Sequence, residues 1–271
     1  MAKFIDKFAV IADGTRRITL RDIDTRADGS LAKDEGIART IELQQKMLLL
    51  QSAFFAEHAR SLLVIFQAMD TGGKDGAVKW LCGGLDPAGV RITSFKIPTH
   101  IELDHDFLWR VHKCVPPRGM VGIWNRSHYE DVLVARVHSL VKKDVWKSHY
   151  DDINAFEKII TRNGVTVVKF FLHISKDEQK ARLEARLKEP DKLWKFNPDD
   201  LKDREQWDDF QCAYEDSINR CATPEAPWYI IPADRKWARN LAVVETISNV
   251  FKKLDPRYPK PTFDPAAIVV K

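Results

Sequence analysis

The sequence predicts an α/β fold, in which helices cover both faces of a central, mostly parallel sheet of five strands. The run at residues 62–66 is apolar at every position, which is typical of a strand buried on both faces of a parallel sheet. Four further strand candidates alternate with helical patterns, which indicates βαβ units with right-handed crossovers. These candidates are 90–95, 121–124, 165–174 and 228–231.

Composition and turn signals divide the chain into three parts. Residues 1–35 are polar and turn-rich, and they predict an extended N-terminal arm. Residues 36–255 form the α/β domain. Its first helical pattern covers 37–58, where Ile41, Leu48 and Phe55 recur at multiples of seven. Residues 256–271 contain four prolines and predict an extended C-terminal tail on the surface or on a neighbouring subunit.

The charge balance favours a small anionic ligand over a nucleic acid. The 271 residues include 43 Lys and Arg against 39 Asp and Glu, a net charge of +4, and the two signs alternate along the chain. A nucleic-acid surface needs cations gathered on one face. The four cysteines show no metal-ligand spacing. No stretch approaches the ~18 apolar residues of a membrane span, so we expect a cytoplasmic protein.

A loop rich in small residues follows the first strand and precedes a helix. Gly72, Gly73 and Gly76 allow backbone N–H groups to converge on phosphate oxygens, and Lys74 can reach the terminal phosphates. A solvated lysine beside a Gly-Gly turn is the alternative interpretation. The position between a buried strand and a helix favours a phosphate loop (P-loop). Over 67–76 the loop reads Gln-Ala-Met-Asp-Thr-Gly-Gly-Lys-Asp-Gly.

The loop departs from the usual P-loop pattern at two positions. Ala68 stands at the first glycine position, and Asp75 replaces the Ser or Thr whose hydroxyl normally binds Mg²⁺. Asp70 lies inside the loop and offers a carboxylate that can bind Mg²⁺ instead, directly or through water. We therefore predict Asp70 as a metal ligand.

A second polar motif follows the third strand and faces the same edge of the sheet. Arg126 can donate two parallel hydrogen bonds to a phosphate, and Arg136 lies ten residues further on. Asn125 can contact a phosphate or a metal-bound water. Glu130 and Asp131 either cap the following helix or support the metal. His128 is interpreted as a packed residue, because phosphoryl transfer on P-loops is normally direct.

Basic residues surround a loop between two predicted helices at about 180–206. A mobile lid in this region would bring cations onto the transferring phosphate and exclude water. A solvated pair of amphipathic helices is the alternative, because acidic residues are interleaved. Arg235 and Lys236 follow the last strand and lie at the same edge of the sheet. The basic lid residues are Lys180, Arg182, Arg186, Lys188, Lys192, Lys195 and Arg204.

Several separate blocks, in this order, resemble the second family of polyphosphate kinases over roughly residues 35–260. The blocks are the P-loop at 67–76, Ser94-Phe95-Lys96, Asp106-Phe107-Leu108-Trp109-Arg110, the motif at 125–131, Trp194-Lys195-Phe196, and Pro232-Ala233-Asp234-Arg235-Lys236-Trp237. The resemblance implies a P-loop three-layer sandwich similar to thymidylate kinase, with a helical lid. It also implies Mg²⁺ (or Mn²⁺) dependence, phosphoryl transfer between inorganic polyphosphate and adenine or guanine nucleotides, and a homodimer or homotetramer.

The resemblance also assigns roles to individual residues. Asp70 would organise the metal, and Lys74 would bind the transferring phosphate. Asp131 is a second candidate metal ligand from its place in the 125–131 motif. Arg126 and Arg136 would hold nucleotide or polyphosphate oxygens. The full predicted set of substrate- and phosphate-binding residues is Gly72, Gly73, Asp75, Gly76, Lys96, Asn125, Ser127, Arg186, Lys192, Lys195, Arg204, Arg235 and Lys236.

Asn125 and Asp75 resemble the subgroup of that family that phosphorylates both AMP and ADP. A carboxylate at position 125 would add negative charge beside an incoming AMP phosphate, at a cost of about 1 kcal/mol at 4 Å in water. Asn avoids this repulsion. Two alternatives remain: an ATP-dependent nucleoside monophosphate kinase, which needs only a compact donor pocket, and a non-catalytic polyphosphate- or nucleic-acid-binding protein.

Overall fold

A six-stranded sheet runs through the part of the protein that the computed structural model describes, residues 4–270. Its strands lie in the order β1-β6-β5-β2-β4-β3. The strands from β2 to β6 pair in parallel, and β1 pairs antiparallel with β6 at one edge. The strands are β1 (Val10–Ala12), β2 (Ser61–Gln67), β3 (Val90–Ser94), β4 (Val121–Asn125), β5 (Val165–His173) and β6 (Trp228–Pro232).

Helices cover both faces of this sheet. Leu62, Val64 and Phe66 of β2 belong to one buried cluster, and the alternate residues Leu63 and Ile65 belong to another. Burial on both faces explains why β2 has no polar side. The helices are α1 (Phe4–Phe8), α2 (Lys33–Glu57), α3 (Lys74–Cys82), α4 (His100–Leu103), α5 (Trp109–His112), α6 (Val134–Val137), α7 (Lys143–Arg162), α8 (Lys176–Lys188), α9 (Asp199–Glu205), α10 (Trp207–Cys221) and α11 (Lys236–Leu254).

The α/β sandwich is confirmed, but the predicted number of five strands is wrong. The missed strand is β1, in which Val10 pairs with Ile230 and Ala12 with Trp228. Three residues are too few to produce a periodic pattern, and their pairing with β6 spans more than 200 positions of the chain. The segment before β1 also packs into the core, since Phe4 and Phe8 are buried. The predictions for residues 1–3 and 271 lie outside the described residues.

The segment predicted as a lid consists of α8 and α9, joined by a 3-10 turn at Pro190–Lys195. Arg186 of α8 donates hydrogen bonds to Lys195 O (3.1 Å) and to Asp200 of α9 (3.1 Å), so the two helices are tied together. The tail after Pro256 is exposed. None of the helices within residues 4–270 combines the length and the hydropathy that a bilayer span requires.

Candidate active site

The loops after β2 and β4 lie side by side because these two strands are neighbours in the sheet. Phe66 pairs in register with Asn125, and the backbone N–H of Arg126 donates to Phe66 O at 3.1 Å. The P-loop follows β2, and the 125–131 motif follows β4. The parallel topology therefore brings both predicted motifs to the carboxyl edge of the sheet, where open α/β sheets bind ligands.

The P-loop turns sharply into α3 and is fixed by hydrogen bonds to its carbonyl groups. Gly73 is the N-terminal cap of α3, and its φ of 95° is a conformation that favours glycine. The Lys74 ammonium donates to Ala68 O (2.8 Å), and the Tyr214 hydroxyl donates to the same oxygen (2.9 Å). Lys74 is therefore held at the loop itself, within reach of an anion bound there.

Helix α8, in the segment predicted as a lid, contacts the P-loop directly. The Gln179 amide donates to Asp70 O (3.1 Å), and the Arg182 guanidinium donates to Thr71 O (3.0 Å). Arg182 also donates to Ala233 O at 2.6 Å, which follows β6. A single guanidinium thus links α8, the P-loop and the end of β6.

An ion-pair network joins the two motifs. Arg126 donates to Asp70 at 2.7 Å and to Glu130 at 2.9 Å. The negative charge of Glu130 makes the largest contribution to raising the pKa of the Arg126 guanidinium, and the charge of Asp70 adds to it. Burial pushes the pKa of the Asp70 carboxyl upward, but Lys74 and Arg126 outweigh it, and the pKa lies below its usual value. At neutral pH, Asp70 is therefore an anion and Arg126 a cation.

Lys74 has an unusual environment for a lysine. Burial lowers the pKa of its ammonium to about 8, and the neighbouring Arg126 adds to this effect. Two like charges close together in a partly dry site disfavour the protonated form. A bound phosphate would restore the preference for the cation, since an opposite charge raises the pKa of an amine.

Asn125 and Asp75 are directly connected. The Asn125 side-chain amide donates to Asp75 Oδ1 at 2.8 Å. Asp75 occupies the position at which a usual P-loop carries a hydroxyl, and the bond joins the start of α3 to the end of β4. These two residues, both suggested by sequence, therefore act as a pair.

A cavity of about 640 Å³, called the basic cavity here, lies over the P-loop. Cations dominate its lining, which suits a ligand that carries many negative charges and no apolar part. Its basic residues are Lys74, Lys96, Arg126, Arg182, Arg186, Lys192, Lys195, Lys236 and Arg239, and its acidic residues are Asp70, Asp75, Glu189 and Asp200.

A second cavity, of about 700 Å³, adjoins the basic cavity. Both cavities are lined by Asp70, Phe95, Lys96, Arg126 and Asp200, so they meet at the ion pair of Asp70 and Arg126. The lining of the second cavity combines apolar side chains and carboxyl groups with four basic residues, Lys96, Arg110, Arg126 and Lys202. Its apolar residues are Phe95, Ile97, Pro98, Val134, Ala135 and Leu140, and its acidic residues are Asp70, Glu130, Asp131, Asp199, Asp200 and Asp203.

The largest cavity, about 1050 Å³, lies beside the second cavity and is lined by aromatic residues such as Phe107 and Trp109. It shares Pro98, Arg110 and Asp131 with the second cavity but includes no residue of the P-loop. Because Lys74 and the loop glycines are not in its lining, size alone does not make it the site of phosphate chemistry.

Comparison with known proteins agrees with this geometry. The family model described as "Polyphosphate kinase 2 (PPK2)" matches residues 30–259. The chain belongs to the polyphosphate kinase 2 family. A relative in Meiothermus ruber, named AMP/ADP-polyphosphate phosphotransferase, is 43% identical over 98% of this chain and 99% of its own length. An ADP-polyphosphate phosphotransferase of Rhodopseudomonas palustris is 41% identical over 79% of this chain and 78% of its own.

Solved structures show the same fold. A crystal structure of polyphosphate kinase 2 from Arthrobacter aurescens superposes with a TM-score of 0.90 at 42% identity, covering 92% of this chain and 90% of that one. A putative polyphosphate kinase 2 from Pseudomonas aeruginosa superposes with a TM-score of 0.82 at 31% identity, covering 86% of this chain and 50% of that one. The chain is thus a phosphotransferase of the polyphosphate kinase 2 family with a P-loop kinase-like fold.

The structure gathers most of the predicted binding residues of this kinase around the basic cavity. They come from the P-loop, the ends of β3 and β4, the lid and the start of α11. The predicted residues that line it are Asp70, Gly73, Lys74, Asp75, Gly76, Lys96, Asn125, Arg126, Arg186, Lys192, Lys195 and Lys236.

Other predicted residues have protein partners instead. The Arg136 guanidinium donates to Asp216 (2.7 Å) and lies over the Trp146 ring, 4.6 Å from its centroid. Arg204 donates to Lys176 O at 2.6 Å. These side chains hold α6 and α9 against other parts of the protein, and neither is among the residues that line the basic cavity or the second cavity.

Three further predicted residues are also placed apart from the basic cavity. Ser127 is buried, and its hydroxyl accepts from the Tyr129 N–H at 3.2 Å, which makes it a cap of the following turn. Arg235 pairs with Asp28 of the N-terminal arm at 2.9 Å. Gly72 is buried inside the loop, where an added Cβ would meet Met69 O at 2.7 Å, so its role is to permit the turn.

The acidic residues near Arg126 are suited to a divalent cation that arrives with substrate. No group of three or more His, Cys, Asp or Glu side chains within residues 4–270 is arranged to hold a metal alone. Mg²⁺ normally uses one or two carboxylates and takes its other ligands from phosphates and water. Asp70 meets this need. Glu130 Oε1 is buried and has no hydrogen-bond partner among the described residues, so it can accept a hydrogen bond from a water molecule bound to the metal.

Several carboxyl groups of the second cavity hold protons more tightly than usual. Burial raises the pKa of Asp131 to about 7. Burial, with a contribution from Asp70, raises the pKa of Asp200 and of Asp203 to about 6. Asp131 lines the second cavity and not the basic cavity, so its role as a second metal ligand stays a prediction.

Sequence reasoning missed Arg239. This residue lies in the first turn of α11, is only 3% exposed and lines the basic cavity. Burial, together with the nearby Arg182, lowers its pKa to about 10. The sequence does contain a pattern that indicates a phosphate-binding role for Arg239. It follows Arg235 by four positions, which places both on one face of a helix, and the first turn of α11 contains no acidic residue.

Proposed function

We propose that this protein transfers phosphoryl groups between inorganic polyphosphate and AMP or ADP, by direct in-line transfer that depends on Mg²⁺ or Mn²⁺. The observation that carries the proposal is the meeting of two chemically different cavities at Asp70 and Arg126. The P-loop lysine, Lys74, lies beside this junction. The names of relatives in Meiothermus ruber and Rhodopseudomonas palustris support the choice of substrates.

In this proposal, polyphosphate occupies the basic cavity. A polyphosphate chain presents negative charge along its whole length and has no apolar surface. A cavity lined by cations from the P-loop, the lid and α11 matches that chemistry. A compact ATP pocket would also need an apolar surface for the base. Apart from glycines, the only apolar residues within 4–270 that line the basic cavity are Phe95 and Ala185.

The nucleotide occupies the second cavity in this proposal. Phe95, Ile97 and Leu140 supply an apolar surface for the base, and the carboxyl groups can accept hydrogen bonds from ribose hydroxyls. The phosphate end of the nucleotide then points to the junction with the basic cavity. Guanine and adenine nucleotides share these features, so GMP and GDP are also tested.

At the junction, charge stabilisation is the main contribution of the protein. Lys74 and Arg126 face the position where charge spreads over the transferring phosphoryl group. The acceptor phosphate is already an anion, so a general base is not required. A bound Mg²⁺ would offset phosphate charge, with Asp70 as its protein ligand. The contacts of α8 with the P-loop support a role for this segment as a lid that excludes water.

One assay tests the proposed function. Purified protein is supplied with AMP, Mg²⁺ and polyphosphate in the absence of ATP, and ADP and ATP are measured by chromatography. Parallel reactions contain ADP, GMP or GDP. The proposal predicts nucleotide phosphorylation without ATP. Product that forms only when ATP is supplied would indicate a nucleoside monophosphate kinase, and polyphosphate binding without turnover would indicate a binding protein.

Two further predictions concern the protein as a whole. A homodimer or homotetramer is supported by the family resemblance, and analytical ultracentrifugation measures it directly. A cytoplasmic location also remains a prediction, which fluorescence microscopy of the tagged protein in its own cell can test.

A further inference from the structure

The start of α11 departs from a general rule of helix electrostatics. Backbone N–H groups give a helix N-terminus partial positive charge, so acidic residues are favourable there and cations are not. In α11 the cap is Arg235 and the first turn contains Lys236 and Arg239, with no acidic residue. Three cations at a position that is unfavourable for helix stability indicate that these residues serve another function.

Arg239 is the most extreme of the three cations. Its side chain is buried, and its guanidinium donates hydrogen bonds to the neutral amide oxygen Asn240 Oδ1, at 2.7 and 3.1 Å. Within residues 4–270 no carboxylate lies at ion-pair distance from its guanidinium. Elsewhere in the core, the buried Lys169 has Glu157 at 2.6 Å. A buried charge without a counterion is unfavourable.

The guanidinium of Arg239 lies directly against the P-loop. A Cβ atom added to Gly73 would collide with Arg239 Nη1, and one added to Gly76 would come within 3.0 Å of Nη2. The Arg182 guanidinium approaches the same position of Gly73 at 3.4 Å. Arg239, Arg182 and Lys236 all line the basic cavity. These side chains therefore form one group of cations beside the loop that binds phosphate.

We propose that Arg239, together with Arg182 and Lys236, forms a second phosphate subsite in the basic cavity. This subsite binds a phosphate of the polyphosphate chain that is not the one transferred, and that phosphate is the missing counterion of Arg239. The inference rests on the proposed function, since it assigns the subsite to the donor chain. A nucleotide phosphate has the same chemistry, so the experiment separates the two sources.

The subsite makes an unusual prediction about stability. In the ligand-free protein, Arg239 is a buried cation without a counterion, and replacing it with Met removes a charge while keeping a similar side-chain length. The melting temperature of ligand-free Arg239→Met should therefore rise. Polyphosphate should stabilise the wild type and stabilise this variant much less. An arginine with a purely structural role gives the opposite result: its loss lowers the melting temperature and leaves the ligand effect intact.

The experiment compares Arg239→Met and Arg239→Lys with Lys252→Met, a control at an exposed lysine near the other end of α11. Melting temperatures are measured without ligand, with polyphosphate, with inorganic triphosphate and with AMP. Steady-state kinetics give separate KM values for polyphosphate and AMP. The KM for polyphosphate of Arg239→Met should rise at least about 10-fold, the scale of one hydrogen bond to a charged group. The change in kcat and in the KM for AMP should be below about 3-fold.

Arg239→Lys keeps the charge but loses the fork of donors, so it should recover part of the polyphosphate affinity. A raised KM for AMP with an unchanged KM for polyphosphate would assign Arg239 to the nucleotide. A lower melting temperature in both variants, with the stabilisation by polyphosphate retained, would assign it a structural role. Both outcomes overturn the subsite.

Failure of the subsite can be told apart from failure of the proposed function. The function fails if the wild type does not phosphorylate AMP from polyphosphate. Stabilisation by polyphosphate or triphosphate, measured without any turnover, still shows whether Arg239 binds a phosphate chain.

Discussion

The pair formed by Asn125 and Asp75 allows a direct test of the proposed use of both AMP and ADP. Replacing Asn125 with Asp removes the 2.8 Å hydrogen bond from the Asn125 amide to Asp75 Oδ1. In its place, two carboxylates face each other at the edge of the basic cavity, which both residues line. Asn125 directly precedes Arg126, which lines both cavities, so the new carboxylate would also lie near the phosphate end of a bound nucleotide. Because it would repel the AMP phosphate, we expect the variant to lose activity with AMP to a greater extent than with ADP.

The size of the effect follows from Coulomb's law. Two negative charges 4 Å apart repel by about 1 kcal/mol in water and about 4 kcal/mol at an effective dielectric constant of 20. The relevant pair is the new carboxylate at position 125 and the AMP phosphate, and because neighbouring Asp75 is exposed to solvent, the lower end applies. A penalty of about 1 kcal/mol corresponds to about a 5-fold loss, which is the least that kcat/KM for AMP should fall.

The assay measures kcat/KM for AMP, ADP and polyphosphate in Asn125→Asp, Asp75→Asn and the exchanged double variant Asp75→Asn/Asn125→Asp. The double variant restores one carboxylate and one amide, and its folding can be compared with that of the wild type. An unchanged ratio of AMP to ADP rates in Asn125→Asp would refute the reasoning. If only the KM for polyphosphate rose, by the same factor with both nucleotides, Asn125 would instead belong to the donor side.

Four further predictions address charged residues, three of them at the site and one in the core. Lys74→Ala should lower kcat by about two orders of magnitude or more, as for other lost charge stabilisers, with an unchanged circular dichroism spectrum; near-normal turnover would contradict the P-loop assignment. Because Lys74 loses its proton near pH 8 in the free enzyme, kcat/KM should fall as the pH rises through about 8, and Lys74→Arg should move that decline to higher pH. EDTA should abolish turnover, and Asp70→Asn should raise the Mg²⁺ concentration needed for half-maximal activity; an unchanged requirement would remove Asp70 as the ligand. Lys169→Met should destabilise the fold by about 3–5 kcal/mol in urea denaturation, because Glu157 is left buried without its partner at 2.6 Å, whereas Lys169→Met/Glu157→Gln should recover most of the loss.

The sequence predicts the central strands well but places the buried face of α2 poorly. The repeat of Ile41, Leu48 and Phe55 correctly predicts a helix, yet these side chains are 41–48% exposed. The buried face includes polar residues such as Gln51. Its side-chain amide donates a hydrogen bond to Asp86 O and accepts one from the Asp86 N–H. A hydrophobic pattern cannot show this, because the hydrogen bonds that make the burial of Gln51 favourable come from a segment 35 positions away.

The same distinction applies to the active site. Asp70 and Arg126 follow neighbouring parallel strands, so the topology of the sheet is enough to bring them together. Arg136 and Arg239 lie on helices, and their direction depends on how each helix packs. Arg136 turns to Asp216, whereas Arg239 reaches the P-loop. The spacing of residues along the chain therefore does not predict which way these two side chains point.

Strain in the two turns supports a crevice that is formed before substrate binds. Thr71 and Arg126 have φ values of 60° and 64°, a left-handed region that costs a residue with a Cβ about 1–2 kcal/mol. Both are held there, since Thr71 O accepts from Arg182 and the Arg126 N–H donates to Phe66 O. Strained backbone of this kind persists where the surroundings fix it, and it gathers at functional sites. Charges fixed in this way need no reorganisation when phosphate arrives, which is the condition under which they stabilise a transition state most effectively.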